Sequence, residues 1–141
     1  CEDLPYSFPV GAVRHSEDVK NIDIIIATTP SREPIIYRVE KGVHINAIGS
    51  DMPGKQELAE SILSEAKVVT DSTNQCAKSG ELQHGIRKGK MTLEDVHGEL
   101  GEIISQRKKG REHSEEITIF DSTGLGVQDL AIAQYVFEKA T

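Results

Sequence analysis

Cysteine is scarce in this chain of 141 residues: only Cys1 and Cys76 occur. Two isolated thiols make neither a disulfide framework nor a metal-ligand spacing, which points to a reduced, cytoplasmic compartment. The five histidines are scattered without the paired spacing of a ligand set, so no metal is expected. No apolar run approaches the ~18 residues needed to span a bilayer. No signal-peptide pattern is present, and a membrane partner is not expected. Basic character is short as well. The formal net charge is −7, and the acids are spread along the chain. Nucleic-acid binding needs a basic stripe. The one basic cluster, Arg107-Lys108-Lys109 with Arg111, better suits the negative end of a helix dipole. Nucleic acid is therefore not an expected partner. Internal repeats, low-complexity stretches and linkers are missing too. What is left is enough chain for one domain with a real core. It opens on cysteine rather than methionine. A mature bacterial lipoprotein does the same, but no flexible polar tether follows here. The expectation is a piece of a longer chain.

Short β-branched runs bounded by turn signals read as buried parallel strands. They fall at residues 24–30, 43–48, 66–71 and 117–121, with a further short one at 10–13. Pro30 ends the first, because proline cannot continue a ladder. Helices are expected between them. Leu58, Ile62, Leu63 and Ala66 repeat at helical spacing. Thr92 followed by Asp95 resembles a capping box, and Val96, Leu100, Ile103 and Ile104 then form an apolar stripe. Gly110 suits the left-handed position that ends such a helix. The segment 127–140 is apolar on most faces, so it is buried or lacks its partner. Strand and helix in alternation predict an α/β fold with a doubly wound parallel sheet.

The stretch His44-Ile45-Asn46-Ala47-Ile48-Gly49-Ser50-Asp51-Met52-Pro53-Gly54-Lys55-Gln56-Glu57-Leu58 carries the strongest functional signal. An apolar run ends in glycine, an aspartate follows, and a Pro-Gly turn comes next. Ligands of open α/β sheets sit beyond the carboxyl ends of the strands. Asp51 stands where such a fold places a working carboxylate. The competing reading is a turn aspartate that bonds its own backbone. Thr28, Thr29 and Ser31 close the first strand, either facing a ribose or phosphate or capping the strand end. Ser122-Thr123-Gly124-Leu125-Gly126 joins the last strand to the last helix; its glycines allow close approach of a ligand or simply a tight turn. Lys55 is read as ion-paired before it is read as catalytic. Glu57 is expected to favour the following helix by its charge, as Asp129 does for the last one. Glu81 and Glu102 are expected to be solvated or ion-paired, and His97 to be structural. Three strand ends thus converge on one edge of the sheet.

Those same residues carry a resemblance. The run 45–58 resembles the signature of the ornithine cyclodeaminase/μ-crystallin family, and Phe120-Asp121-Ser122-Thr123-Gly124-Leu125-Gly126-Val127-Gln128-Asp129 resembles its second signature. Residues 23–31, Gly101-Glu102-Ile103 and Gly110-Arg111 match further landmarks in order. The wording is most similar to the archaeal-type alanine dehydrogenases of that family. The resemblance implies a Rossmann-type NAD(P) domain joined to a substrate and dimerisation domain. Residues 1–141 then form only the second half of the cofactor domain with the helices that follow, without the substrate domain or the glycine-rich loop. Carried over by motif, Asp51 is the catalytic aspartate beside the substrate amine and nicotinamide. Ile48, Gly49 and Ser50 line the nicotinamide end, Thr28 or Thr29 is a strand-end cofactor contact, Ser122 is another, and Thr123 lies near the substrate. Ser50 stands where alanine or glycine is common, and Gly126 where alanine is common. The implied cofactor is NAD, with NADP open because the deciding position is not in this chain. The implied activity is oxidative deamination of a small amino acid, inactive in this piece alone, by a protein that is a homodimer when complete. Ornithine cyclodeamination, ketimine reduction and cofactor binding without turnover are the alternatives. The base role needs partial burial to raise the pKa of Asp51.

Overall fold

Alternating burial builds the sheet. In the computed structural model, which describes residues 20–140, strands β1 (Ile24–Ala27), β2 (His44–Ala47), β3 (Lys67–Thr70) and β5 (Thr118–Asp121) each turn every second side chain inward. A fifth, β4, is only Gly98–Glu99. The strand expected at 10–13 lies outside the described residues. The order across the sheet is β1-β2-β5-β3-β4, and every pairing is parallel. Register puts Ala27, Ala47, Asp121, Thr70 and Glu99 in one row. All five carboxyl ends therefore open on the same edge.

Helices cover both faces. α1 (Glu60–Glu65), α2 (Thr73–Ser79) and α3 (Leu82–Arg87) contribute Ile62, Leu63, Cys76 and Leu82 to one buried cluster with Ile45, Val68 and Ile119 of the sheet. Burying an aliphatic side chain of this size is worth about 1.5–3 kcal/mol. On the opposite face Leu100 and Ile103 of α4 (Leu100–Ile104) border a cleft of ≈ 450 Å³ with Asn46, Val69 and Phe120. The result is the Rossmann-like, doubly wound α/β arrangement expected from the sequence. No helix among the described residues is long and apolar enough to cross a membrane.

Three local expectations are corrected. The Thr92–Asp95 capping box forms, but it caps a single 3₁₀ turn at Leu93–Asp95. Val96 is buried in extended backbone. The His97 N–H then donates to the Val68 carbonyl at 2.9 Å, which draws the chain into β4. Gly98, a poor residue for a helix interior, lies there, and α4 starts only at Leu100 with its own box from Glu99 and Glu102. The left-handed position after α4 belongs to Gln106 (φ 60), not to Gly110. Helix α2 had no counterpart in the sequence reading, and α3 only a helix-like segment beside Glu81. The last helix, α5 (Gly126–Ala140), forms as expected, and Leu130, Ile132, Val136 and Phe137 on it are exposed.

Candidate functional site

The turn after β2 presents the first acid. Gly54 has φ 84, and the Lys55 N–H donates to the Met52 carbonyl at 3.2 Å. Proline followed by glycine at the centre of a type II turn requires this geometry. The turn folds Lys55 back over Asp51, with Nζ 2.6 Å from Oδ1. The Asp51 side chain is 48% exposed and that of Lys55 18%. Behind the turn, buried Gln83 of α3 accepts the Gly54 N–H at 2.7 Å and donates Nε2 to the Lys55 carbonyl at 3.1 Å. The Ser50 hydroxyl donates to that carbonyl as well, at 3.0 Å. Lys55 is thus ion-paired, as expected. The ammonium bond holds the Asp51 carboxyl below the usual range. That is the reverse of the rise that efficient base work needs: the exposed acid gains more from its cation than it loses to desolvation.

Buried carboxylates hold the strand ends together. Glu57 receives the N–H groups of Thr29 and Gly49 on its two oxygens. Glu81 receives those of Glu57 at 2.8 Å and Leu58 at 3.0 Å. Asp121 receives those of Glu81 at 3.1 Å and Leu82 at 3.3 Å. All three side chains are fully buried. Asp71, at the end of β3, accepts the Ser122 hydroxyl at 3.0 Å, the Thr123 N–H at 2.9 Å and the Gly124 N–H at 2.8 Å. Burial pushes Glu81 up to about 8 and Asp121 up to about 7, with the donated N–H groups opposing the rise. The donated N–H groups satisfy oxygens that would otherwise be costly to bury. Two expectations fail here. Glu81 is neither solvated nor ion-paired, because the backbone N–H groups of residues 57 and 58 supply its partners. Glu57 does not act on a helix by its charge; α1 begins three residues later. Glu102, by contrast, pairs with Lys108 at 3.6 Å.

The expected residues divide by exposure. Thr28, Ile48 and Asp51 are exposed on the open edge, while Thr29 and Thr123 are half-buried there. Ser50 is fully buried, with its hydroxyl turned inward. Ser122 is buried, and its hydroxyl is donated to Asp71. A Cβ on Gly49 would collide with the Thr29 carbonyl oxygen, so the β1 and β2 loops touch backbone to backbone. The sequence reading missed Asp71, Gln83 and the placement of Glu57 and Glu81. An acid directly after a β-branched run, as at Asp71, was the one available signal. Among the described residues no group of three or more potential metal ligands forms a site, and Cys76 is a buried free thiol.

Comparison with known proteins agrees with this geometry. An alanine dehydrogenase from Archaeoglobus fulgidus is 49% identical over 142 residues, which span 99% of this chain and 43% of that protein. An archaeal alanine dehydrogenase dimer solved with bound NAD superposes with a TM-score of 0.85 at 50% identity, covering 92% of this chain and 41% of its own. The Thermococcus litoralis Δ(1)-pyrroline-2-carboxylate reductase, solved with NADH and L-proline, gives a TM-score of 0.84 at 34% identity, covering 91% and 41%. The chain thus spans less than half the length of these relatives. Residues 2–141 match the ornithine cyclodeaminase/mu-crystallin family throughout, and the chain belongs to that family.

Proposed function

We propose that this chain is the nicotinamide-side half of an NAD-dependent enzyme that oxidatively deaminates a small amino acid, with L-alanine the first substrate. One observation carries the reading: the exposed, ionised Asp51 stands on the same strand-end edge as Thr28, Ile48 and Thr123. The residues present fit part of the cofactor. Exposed Ile48 offers an apolar surface to a nicotinamide ring, and the Thr28 hydroxyl offers a polar contact to a ribose. Gly49, Ser50 and Ser122 shape the loops around them. NADP remains the alternative cofactor. The remaining contacts, including a glycine-rich turn for the pyrophosphate, we assign to a further part of a longer polypeptide. The 43% coverage supports that assignment. So do exposed Ile24 and Ile26 on edge strand β1 and the bare apolar faces of α5, surfaces that a finished fold rarely leaves open. We take the complete protein to be a homodimer, by analogy with the archaeal dimer, and to work in the cytoplasm.

When bound, the nicotinamide supplies the hydride acceptor. The protein supplies the rest. Asp51 accepts the proton of the substrate amine and later orients water for attack on the imine. Lys55 keeps Asp51 ionised between substrates. Thr123 lies where it can contact the amino acid. The test is to add L-alanine and NAD to the full-length protein and follow NADH absorbance. Steady accumulation supports the dehydrogenase. Its absence overturns it in favour of a redox-neutral cyclodeaminase, tested next with L-ornithine, or a cofactor binder without turnover. Imine reduction is the second reading. It is the same chemistry run backwards, and the reductase solved with L-proline favours it.

A further inference from the structure

Glu57 is fully buried, and no lysine or arginine pairs with it among the described residues. A carboxylate in that position is costly to bury unless its oxygens are met by donors. Both are met, each by a loop on the open edge: Thr29 N–H after β1 and Gly49 N–H after β2. The same two loops are in contact elsewhere. The N–H groups of Ile48 and Gly49 both reach the Ala27 carbonyl, at 2.9 Å and 3.1 Å. Glu57 is itself fixed by its backbone. Its N–H donates to Glu81, and its carbonyl accepts from Ile35 at 2.8 Å and Ile36 at 3.0 Å. The side chain therefore cannot shift without carrying two loops along.

We infer that Glu57 is a positioning residue: its carboxylate sets the spacing between the Thr28–Thr29 loop and the Gly49–Asp51 loop, and so seats Asp51 against the cofactor edge. This rests on the NAD-dependent reading above. Glu57 touches no reacting atom. It acts through Thr29 and Gly49, the latter two residues from Asp51. Misplacement of a reacting group by about 1 Å can cost a rate on the order of a hundredfold.

The test compares wild type with Glu57→Gln in the full-length protein. Glutamine has the same shape but one acceptor and one donor, so one loop N–H must face an amide N–H. NADH is the probe, titrated by its fluorescence, with kcat and KM for NAD measured alongside. The expected result is NADH affinity weaker by about tenfold or more and kcat lower by about ten- to a hundredfold. Amide hydrogen exchange should rise at Thr29 and Gly49 together while Ile45 and Ile119 stay protected. Wild-type affinity and unchanged exchange at both loops would overturn the positioning role, since a residue that only fills space tolerates an isosteric change. If Glu57→Gln does not fold, Glu57→Asp keeps the charge and shortens the reach by one methylene. It must then loosen at least one of the two loops and weaken NADH binding; a fully wild-type Glu57→Asp overturns the proposal. A wild-type protein that fails to bind NADH overturns the functional reading itself, a result read without any variant.

Discussion

Asp51 and Asp121 occupy opposite environments on the same edge of the sheet. Asp121 ends β5 in register with Ala47, and Asp51 follows Ala47 by four residues. Asp51 is half exposed and has a cation at 2.6 Å. Asp121 is fully buried and accepts the N–H groups of Glu81 and Leu82, with the Cys76 thiol beside it. One acid is pulled below its usual range and the other is pushed above it. The contrast separates two uses of a carboxylate. An exposed acid on the open edge can meet a ligand. A buried acid whose oxygens both accept backbone N–H groups is out of a ligand's reach and serves as a fastener.

The sharpest way to break this division is Asp51→Asn. In the full-length protein it should lower kcat by about a hundredfold or more, with NADH binding retained. Turnover at the wild-type rate would remove Asp51 from the chemistry. Next comes Gly80→Ala, aimed at the fastener. The added Cβ would lie 2.6 Å and 2.7 Å from the Asp121 carboxylate oxygens and 2.9 Å from Cys76 Cα. Overpacking of this kind costs about 1–3 kcal/mol, measurable as a lower urea midpoint. A neutral result would mean that Asp121 is loosely seated.

The effect of pH is gentler and has a definite sign. Glu81 and Asp121 hold their protons in the native state to about 8 and about 7. The unfolded chain releases them near the ordinary carboxylate range of about 4. Between those limits the native state binds more protons, so stability falls as pH rises from about 4 to about 8 and levels off above it. Denaturation midpoints across that range should show the slope, and Glu81→Gln should flatten it. The smallest effect belongs to Lys55→Met. Loss of the ammonium bond should let the Asp51 pKa rise, and the acid limb of the kcat/KM profile should move up with it. An unmoved limb would separate Lys55 from the state of Asp51.

The division also explains what the sequence could reveal. Ile24–Ala27 and Thr118–Asp121 were legible as strands because short β-branched runs bounded by turn signals favour extended backbone; β1 nonetheless leaves Ile24 and Ile26 exposed. The turn at Pro53-Gly54 was legible because its glycine is obliged to take positive φ. Asp51 was legible because it follows such a run and sits in a recognisable motif. Glu57, Glu81 and Gln83 were not, because a polar side chain in sequence announces solvent. The backbone N–H groups they accept lie 8 to 29 residues away, and every residue but proline offers one. The bounds of α2 and α3 were illegible for a related reason. Their buried faces include Gln83 and Gly85, which leaves no apolar stripe to read. Two-residue β4 is specified by the open edge of β3 more than by its own residues.

The strand order has a consequence for how the chain is made. β1 pairs with β2 and β3 with β4, but β5 alone joins the two pairs. On a growing polypeptide those ribbons emerge first and share no ladder until residues 118–121 arrive. Among the described strands, the one at the centre is thus the last synthesised. Its contacts are long-range, the kind that fold slowly, and until they form, two unpaired inner edges stand open to other chains.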